Sequence, residues 1–400
     1  MIINRLMVIG ATWEQVPLIR AAKNMGCEVI ATSSSSNSEG FAYADYSEIL
    51  DPRDLNAIVK IAEKYSVDAV TSDSCDYSNY AAMFLRNKMG LHNFGMNAVQ
   101  FTTNKHWMRN KCAEEGVLQP RFEICRSYFE VCKASESIGY PLIIKPSDNR
   151  GSFGVTRVAK FSDLQDAFLH ALMNAHSREV LVEEYISGIH ITVDGCVDSD
   201  GKHINLGIAS KKITSDEIPI IVEVLYPANN IDDGLMKNIF NINNNVVKAL
   251  EIKRGLTHSE YIVDSHGGCY LVEMANRGGG VLTSGVIIPA ISGVNLSEIL
   301  VLEALGRPYD VTPWSKSLFA MLDFLIFPTG LVSKIEGVLE ASEHPKILHL
   351  KMMIKEGDFL GKPSSGAERH GFAIYIGSSY EELESLKKLI RKLIKIEYEN

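Results

Sequence analysis

The chain is 400 residues long, more than one small core can hold, so roughly two to four domains are expected. Hydrophobic residues make up 46% of it and charged residues 22%, with 30 Gly and 13 Pro, which excludes a disordered, collagen-like or linker-dominated chain. Forty Lys plus Arg against 49 Asp plus Glu leave a net charge of −9, so binding to nucleic acid or to an anionic membrane has no global electrostatic support.

Seven cysteines without a C-x-x-C pair suit reduced thiols in a cytoplasmic protein better than a disulfide framework. The opening apolar run stops at Gly10 and is too short for the core of a signal peptide. No stretch supplies the roughly eighteen uninterrupted apolar residues of a membrane span. The best candidate, residues 317–327, is short and contains Asp323.

Residues 6–9 read as a strand, 14–25 as a helix stopping at Gly26, 27–31 as a strand, 55–65 as a helix and 67–70 as a third strand. Strands alternating with helices of about a dozen residues predict a parallel sheet with crossover helices, an N-terminal α/β domain over 1–103. Gly10 ends the first strand, yet Gly10-Ala11-Thr12-Trp13-Glu14-Gln15 lacks two of the three glycines of a dinucleotide fingerprint. The second strand runs into Thr32-Ser33-Ser34-Ser35-Ser36 instead of a ribose-binding acid. This domain reads as structural, lending one wall to a substrate cleft.

From Asn104 the texture changes, and 104–312 reads as a second unit. A helix over 105–115 is followed by strands at 141–145 and 155–159, a helix over 162–175 and strands at 179–186, 189–196 and 205–211. A long helix near 234–250 and a hairpin over 255–274 complete it. Residues 313–400 read as a small C-terminal α+β unit ending in a helix. In that helix Ser379-Tyr-Glu-Glu382 forms a capping box, and Leu383, Leu386, Leu389, Ile390, Leu393 and Ile394 form one apolar stripe. Packing on the terminal sheet accounts for this pattern more simply than a membrane-surface role.

Chemistry concentrates in two places. Lys145-Pro-Ser-Asp-Asn-Arg-Gly-Ser-Phe-Gly-Val155 joins two strands by a loop whose backbone N–H groups and hydroxyls can wrap phosphate oxygens, with Lys145 within reach. The second place is the hairpin of His258-Ser-Glu260-Tyr-Ile-Val263 and Tyr270-Leu-Val-Glu273-Met274. Folded symmetrically about its turn, it sets Glu260 opposite Glu273, with Cβ atoms roughly 5 Å apart. Two facing carboxylates repel unless a cation lies between them, and oxygen-only ligands suit Mg²⁺ or Mn²⁺. Four residues on, Arg277 can clamp a carboxylate or a transferring phosphoryl group, and Gly278-Gly-Gly280 lets backbone approach a ligand. Taken singly, Lys105 and Lys145 read as surface lysines, and His190 and His258 as structural histidines. A zinc site at His258-Ser-Glu260 lacks a third ligand.

The ordered set of Lys105, the Lys145 loop, Val182-Glu-Glu-Tyr-Ile-Ser-Gly188, Glu260 and Glu273-x-x-x-Arg277 resembles the ATP-grasp superfamily, in particular its carboxylate–amine ligase branch. That branch includes L-amino-acid ligases and proteins similar to phosphoribosylglycinamide synthetase and biotin carboxylase. The resemblance implies a pre-ATP-grasp domain at 1–103, a two-lobed ATP-grasp domain at 104–312 with about 120–186 as its mobile small lobe, and a small α+β domain at 313–400. It implies that Lys105 and Lys145 contact ATP phosphates and that a mobile loop carrying Ser147, Gly151, Ser152 and Gly154 closes over them. Glu183, Glu184, Ile186 and His190 would bind the rest of the nucleotide. Glu260 and Glu273 would hold magnesium, or manganese, and Arg277 would face an acyl-phosphate centre. Lys211, or its neighbour Lys212, would approach the γ-phosphate. Ala275 stands where many relatives carry a second metal-binding asparagine, and Asn104 where an aspartate often precedes the first lysine.

The activity implied is ATP-dependent ligation of a small-molecule carboxylate to an amine through an acyl phosphate, without nucleic acid or membrane, with a homodimer as a common arrangement. Two alternatives accompany it: a biotin-carboxylase-like carboxylation, faintly suggested by Leu350-Lys-Met-Met353, and a non-catalytic ATP-binding protein of the same fold. Specificity is expected from residues 278–283 and 218–228. Glu223 reads equally as an ammonium receptor or a surface acid.

Overall fold

The computed structural model describes residues 4–149, 153–214, 220–314, 318–363 and 365–399. In its first part β1 (Arg5–Ile9), α1 (Val16–Asn24), β2 (Glu28–Ser33), β3 (Tyr46–Ile49), α2 (Leu55–Tyr65), β4 (Ala69–Thr71) and α3 (Asp76–Met89) follow one another. Their strands pair in parallel in the order β3-β2-β1-β4. Central β1 is covered on both faces. Leu6 and Val8 join the apolar cluster under α1, while Met7 and Ile9 join the cluster under α2 and α3. Two of these elements escape a periodicity reading for opposite reasons: β3 is mostly exposed, and α3 buries Asp76, Ser78 and Arg86 beside its alanines.

Helices α4 (Asn97–Thr103) and α5 (Lys105–Glu114) lead out of this layer, with the Asn104 side chain capping α5 by accepting the Trp107 N–H at 3.2 Å. The small lobe comprises β5 (Phe122–Cys125), α6 (Tyr128–Ile138), β6 (Leu142–Pro146), β7 (Thr156–Val158), α7 (Leu164–Met173) and β8 (Val180–Glu184). It is an antiparallel sheet of order β5-β8-β6-β7, and the apolar faces of α6 and α7 share one cluster with it.

The large lobe contains β9 (Ile189–Val197), β10 (His203–Ile213), β11 (Ile221–Tyr226), α8 (Asp233–Ala249), β12 (Gly255–Val263) and β13 (Cys269–Ala275). After them come α9 (Ile288–Ser292), α10 (Leu296–Ala304), β14 (Phe319–Leu325), β15 (Gly330–Glu336), α11 (Val338–Ser342), β16 (Ile347–Met352), β17 (Phe359–Leu360), β18 (Gly371–Gly377), α12 (Tyr380–Leu393) and β19 (Lys395–Tyr398). Eight strands form one sheet in the order β13-β12-β9-β10-β11-β14-β18-β16. The C-terminal α+β unit is therefore joined to the large lobe edge to edge through β11 and β14, and a second sheet, β17-β15-β19, completes it. The chain runs past the last helix into β19, where the sequence reading ended on the helix.

Helix α12 packs Leu383, Leu386 and Ile390 against this sheet, whereas Leu389 is exposed. Its N-cap is half a box: Ser379 accepts the Glu382 N–H, but the Glu382 carboxylate accepts from Ser378. The helix also solves an electrostatic problem. The β11–β14 register sets Glu223 directly opposite Asp323, both buried, an arrangement of like charges that repels. Lys387 and Arg391, one turn apart on α12, neutralise them: Lys387 pairs with Glu223, and Arg391 binds Asp323 at 2.8 Å. Glu223 is thus neither a surface acid nor open to a substrate ammonium. Among the described residues no single helix is long and apolar enough to cross a membrane. The apolar pair Thr283–Ser292 and Leu296–Ala304 bends by 116°.

Candidate active site

The hairpin sets the geometry. On β12 and β13, His258 lies opposite Ala275, Ser259 opposite Met274 and Glu260 opposite Glu273. Nearer the turn the register slips by one, so Tyr261 faces Leu271 and Val263 faces Cys269. Val272 is the extra residue, a β-bulge that a symmetric fold about the turn does not anticipate. Its effect is decisive for Glu273. Cys269 and Leu271 point into the core, and strict alternation would bury Glu273 after them; instead the next core residue is Met274. The bulge turns Glu273 to the face that carries Glu260 and His258.

Each acid meets a lysine. Lys211 Nζ lies 2.7 Å from Glu260, and Lys105 Nζ lies 3.0 Å from Glu273 and 2.8 Å from the carbonyl of Asn149. Of the two candidate lysines on β10, Lys211 is the one that faces the acids, and Lys212 points to solvent. Lys145 is buried and pairs at 2.6 Å with Glu183, which also accepts from Arg109 at 2.8 Å. Burial would raise the Glu260 carboxyl, but Lys211 and His258 outweigh it and hold it well below the carboxylate range. Burial likewise opposes the charge on Glu183, yet Arg109 and Lys145 bring its pKa down to about 2. Burial lowers Lys145, with Arg109 and Lys105 adding repulsion that Glu183 only partly offsets.

Behind Glu260 stands a buried pair, His258 with Asp194; the sequence reading took His258 singly as a structural histidine and did not single out Asp194. His258 Nδ1 lies 2.8 Å from Asp194, whose other oxygen accepts the Tyr226 hydroxyl at 2.7 Å. Burial disfavours the imidazolium, but Asp194 and Glu260 prevail and raise the His258 pKa to about 9. His190 opens β9 opposite Ile262; burial and the charge of Lys211 lower its pKa.

Arg277 is fixed from the N-terminal domain. Asp76, in the first turn of α3, takes its guanidinium in a fork of 2.6 and 2.9 Å. Asp73 accepts the Gly278 N–H at 2.9 Å and the Ser284 hydroxyl at 2.6 Å, and Glu14 accepts the Val281 N–H at 2.6 Å. These three acids follow the carboxyl ends of β1 and β4, Asp76 at the start of α3, where open α/β sheets present their binding edge. The available signal was Ser72-Asp73-Ser74 directly after a short strand; the sequence reading stopped at Val70. The glycine run has another purpose than the one expected. A Cβ at Gly278 would lie 2.3 Å from Ser284 and 2.6 Å from Asp73, and one at Gly279 2.9 Å from His258. At both positions the close approach is to other parts of the protein.

Other expected residues differ in detail. The Ser147 hydroxyl is buried against Ser177 at 2.9 Å, while its carbonyl accepts the Lys105 N–H at 2.8 Å and so anchors the start of α5. Glu183 has both carboxylate oxygens engaged by cations, Arg109 on one and Lys145 on the other. Glu184 ends β8 with its carboxylate 3.1 Å from Arg121, and Ile186 lies in the link to β9. Gly151 and Ser152 lie outside the described residues. Among the described residues no group of three or more His, Cys, Asp or Glu is placed to hold a metal. The two facing carboxylates still fit Mg²⁺ or Mn²⁺, which take few protein oxygens and complete their shell with water and phosphate.

Residues 138–285 match the family model of the ATP-grasp domain, and residues 323–399 that of the L-amino acid ligase C-terminal domain 2. The formate-dependent phosphoribosylglycinamide formyltransferase of Prochlorococcus marinus (strain MIT 9301) is 24% identical over 193 residues, 46% of this chain. The match spans about half, 48%, of that relative's length. The protein of the same name from Saccharolobus solfataricus is 24% identical over 411 residues, covering 96% of this chain and 95% of its own. In fold, the chain is similar to the crystal structure of L-amino acid ligase from Bacillus licheniformis, with a TM-score of 0.84 and 19% identity over 99% of both chains. It is also similar to phosphoribosylglycinamide synthetase from Anaerococcus prevotii, with a TM-score of 0.78 and 16% identity over 99% of this chain and 100% of that one.

Proposed function

Because the chain carries an ATP-grasp domain and, after it, an L-amino acid ligase C-terminal domain, we propose that it is an ATP-dependent carboxylate–amine ligase. The observation that carries this reading is the facing pair Glu260 and Glu273, each matched to a lysine, with Arg277 held four residues beyond. A non-catalytic nucleotide binder needs neither the facing acids nor a braced arginine. The biotin-dependent alternative finds no support at Lys351, which lies within β16 and is ion-paired to Glu39.

In the first step a substrate carboxylate oxygen attacks the γ-phosphorus of ATP, the bond to the β-phosphate oxygen breaks, and ADP leaves an acyl phosphate behind. In the second an amine attacks the acyl carbon, phosphate departs, and the amine proton passes to solvent or to a nearby base, giving an amide. The protein's task is placement and charge. Lys105, Lys145 and Lys211 can move from their carboxylates to phosphate oxygens, and Arg277, already charged and braced, meets the anion that develops at the acyl centre. A magnesium ion at Glu260 and Glu273 supplies further neutralisation of the phosphate oxygens. Closing the small lobe keeps water from the acyl phosphate.

The test is release of ADP and phosphate from Mg-ATP across pairwise mixtures of amino acids and other small carboxylates and amines. A pair that stimulates release, and loses that stimulation in Glu273→Ala, supports the reading. Full turnover in Glu273→Ala refutes the role of the acid pair.

A further inference from the structure

Among the described residues, Arg109 is the largest side chain with no accessible surface. It lies on α5, one turn after Lys105, and on the same face of the helix. Its Nη2 donates to the Val272 carbonyl at 2.8 Å and its Nη1 to the Leu271 carbonyl at 3.2 Å. In a regular strand consecutive carbonyls point to opposite sides, and one guanidinium cannot hold both. Here it does, because Val272 is the extra residue of the bulge. Gln119 brackets the arginine, accepting from Nη1 at 3.3 Å and donating to the Arg109 carbonyl at 2.8 Å.

A buried guanidinium requires a counter-charge, and Nε donates to Glu183 at 2.8 Å. The other Glu183 oxygen holds Lys145. One helix therefore presents Lys105 to Glu273 itself and, a turn later, Arg109 to the distortion that aims Glu273. An ammonium group, with its donors splayed about one point, cannot reproduce this planar fork.

We propose that Arg109 is a positioning residue: its grip on the Val272 bulge keeps Glu273 on the face it shares with Glu260, and so builds the divalent-cation site. This rests on the reading of Glu260 and Glu273 as that site, and the experiment separates the two. Mn²⁺ uptake is measured by titration calorimetry in the presence of a non-hydrolysable ATP analogue, and uptake of the analogue alone is measured in EDTA. Arg109→Lys should weaken Mn²⁺ at least about tenfold, the usual loss when support behind a metal ligand is removed, while shifting metal-free nucleotide uptake less than about threefold. Arg86→Lys disturbs another buried arginine pair, in which Nη1 donates to both Glu303 oxygens at 2.8 and 2.9 Å, and serves as the control for general loosening; it should leave Mn²⁺ unchanged.

Deleting Val272 makes the hairpin regular and places Glu273 on the site face by register alone. Combined with Arg109→Lys, the deletion should return Mn²⁺ affinity to within about threefold of wild type. Wild-type protein that takes up no Mn²⁺ overturns the cation site and this proposal with it. Wild-type uptake with unchanged affinity in Arg109→Lys, or a double variant no tighter than the single, overturns the role of Arg109 alone. Should Arg109→Lys fail to fold, the Val272 deletion by itself decides: retained Mn²⁺ uptake supports the proposal, and loss in a folded protein refutes it.

Discussion

Asp76→Asn tests whether the N-terminal domain braces the arginine of the site. The two side chains are only 13% and 12% exposed, and their fork measures 2.6 and 2.9 Å. Removing one partner of a fully buried pair costs about 3–5 kcal/mol. The amide keeps one acceptor and some solvent reaches the pair, so about 2–3 kcal/mol is expected here. The assay is urea unfolding of the wild type, Asp76→Asn, Arg277→Met and the double variant, followed in the transition that separates the N-terminal domain from the large lobe. If the fork acts as a unit, the double variant loses about 2 kcal/mol less than the sum of the singles. Additivity within about 0.5 kcal/mol would refute the brace, since independent sites add to that precision. In parallel, Asp76→Asn should raise the KM for the carboxylate substrate, because an unbraced guanidinium samples rotamers that miss the acyl centre.

Three further outcomes follow from the same geometry. Glu183 has a folded pKa of about 2 against roughly 4.3 unfolded, so its stabilisation is complete above the unfolded value and is lost as pH falls through the folded one. Glu183→Gln should therefore flatten acid unfolding between about pH 4 and 2, and an unaltered acid profile contradicts the pairing. Gly279→Ala forces a Cβ to 2.9 Å from His258 and Thr283 and should cost about 1–3 kcal/mol in urea unfolding; a neutral change would mean the loop is not packed as described. Lys387→Met leaves the buried Glu223 without its cation opposite Asp323 and should destabilise by about 3 kcal/mol while leaving the KM for the amine unchanged. A raised amine KM would reinstate Glu223 as an ammonium receptor.

What could be read from the chain followed its local periodicities. The β1 segment announces itself as a continuous apolar run, covered on both faces, and α2 and α8 because each buries one repeating set of apolar positions. The Glu260–Glu273 pairing agrees with the symmetric reading only because of the bulge: beside the turn the register is one residue off that reading, with Val263 facing Cys269, and the extra residue Val272 brings Glu273 opposite Glu260. The Val272 bulge was not legible, since the arginine that binds its carbonyl lies 163 residues away in sequence. The brace on Arg277 comes from 201 residues away, and Lys387 reaches Glu223 over 164. In each case a polar group on an inward face looked like a flaw in the pattern, and its partner lay in another element. Burial of charge is decided by tertiary pairing, which period and propensity do not record.

The pairing of the site's charges also explains how two acids can be held face to face. Glu260 and Glu273, directly opposite on adjacent strands, would repel, yet Lys211 and Lys105 stand where positive charge is needed, and Lys145 is balanced by Glu183. Under the proposed function, the lysines that would serve phosphates are the same ones that keep the carboxylates tolerable. A tetra-anionic nucleotide arriving alone would draw Lys105 and Lys211 away and expose the repulsion between the acids. Arriving with a divalent cation, it returns positive charge to the acids as the lysines leave. The charge layout therefore favours joint binding of nucleotide and cation over either one singly, and it assigns Glu183 a different part. With Arg109 locked beside it, Glu183 keeps its counter-charge when Lys145 moves, so the hinge between the lobes is not left with a bare buried carboxylate.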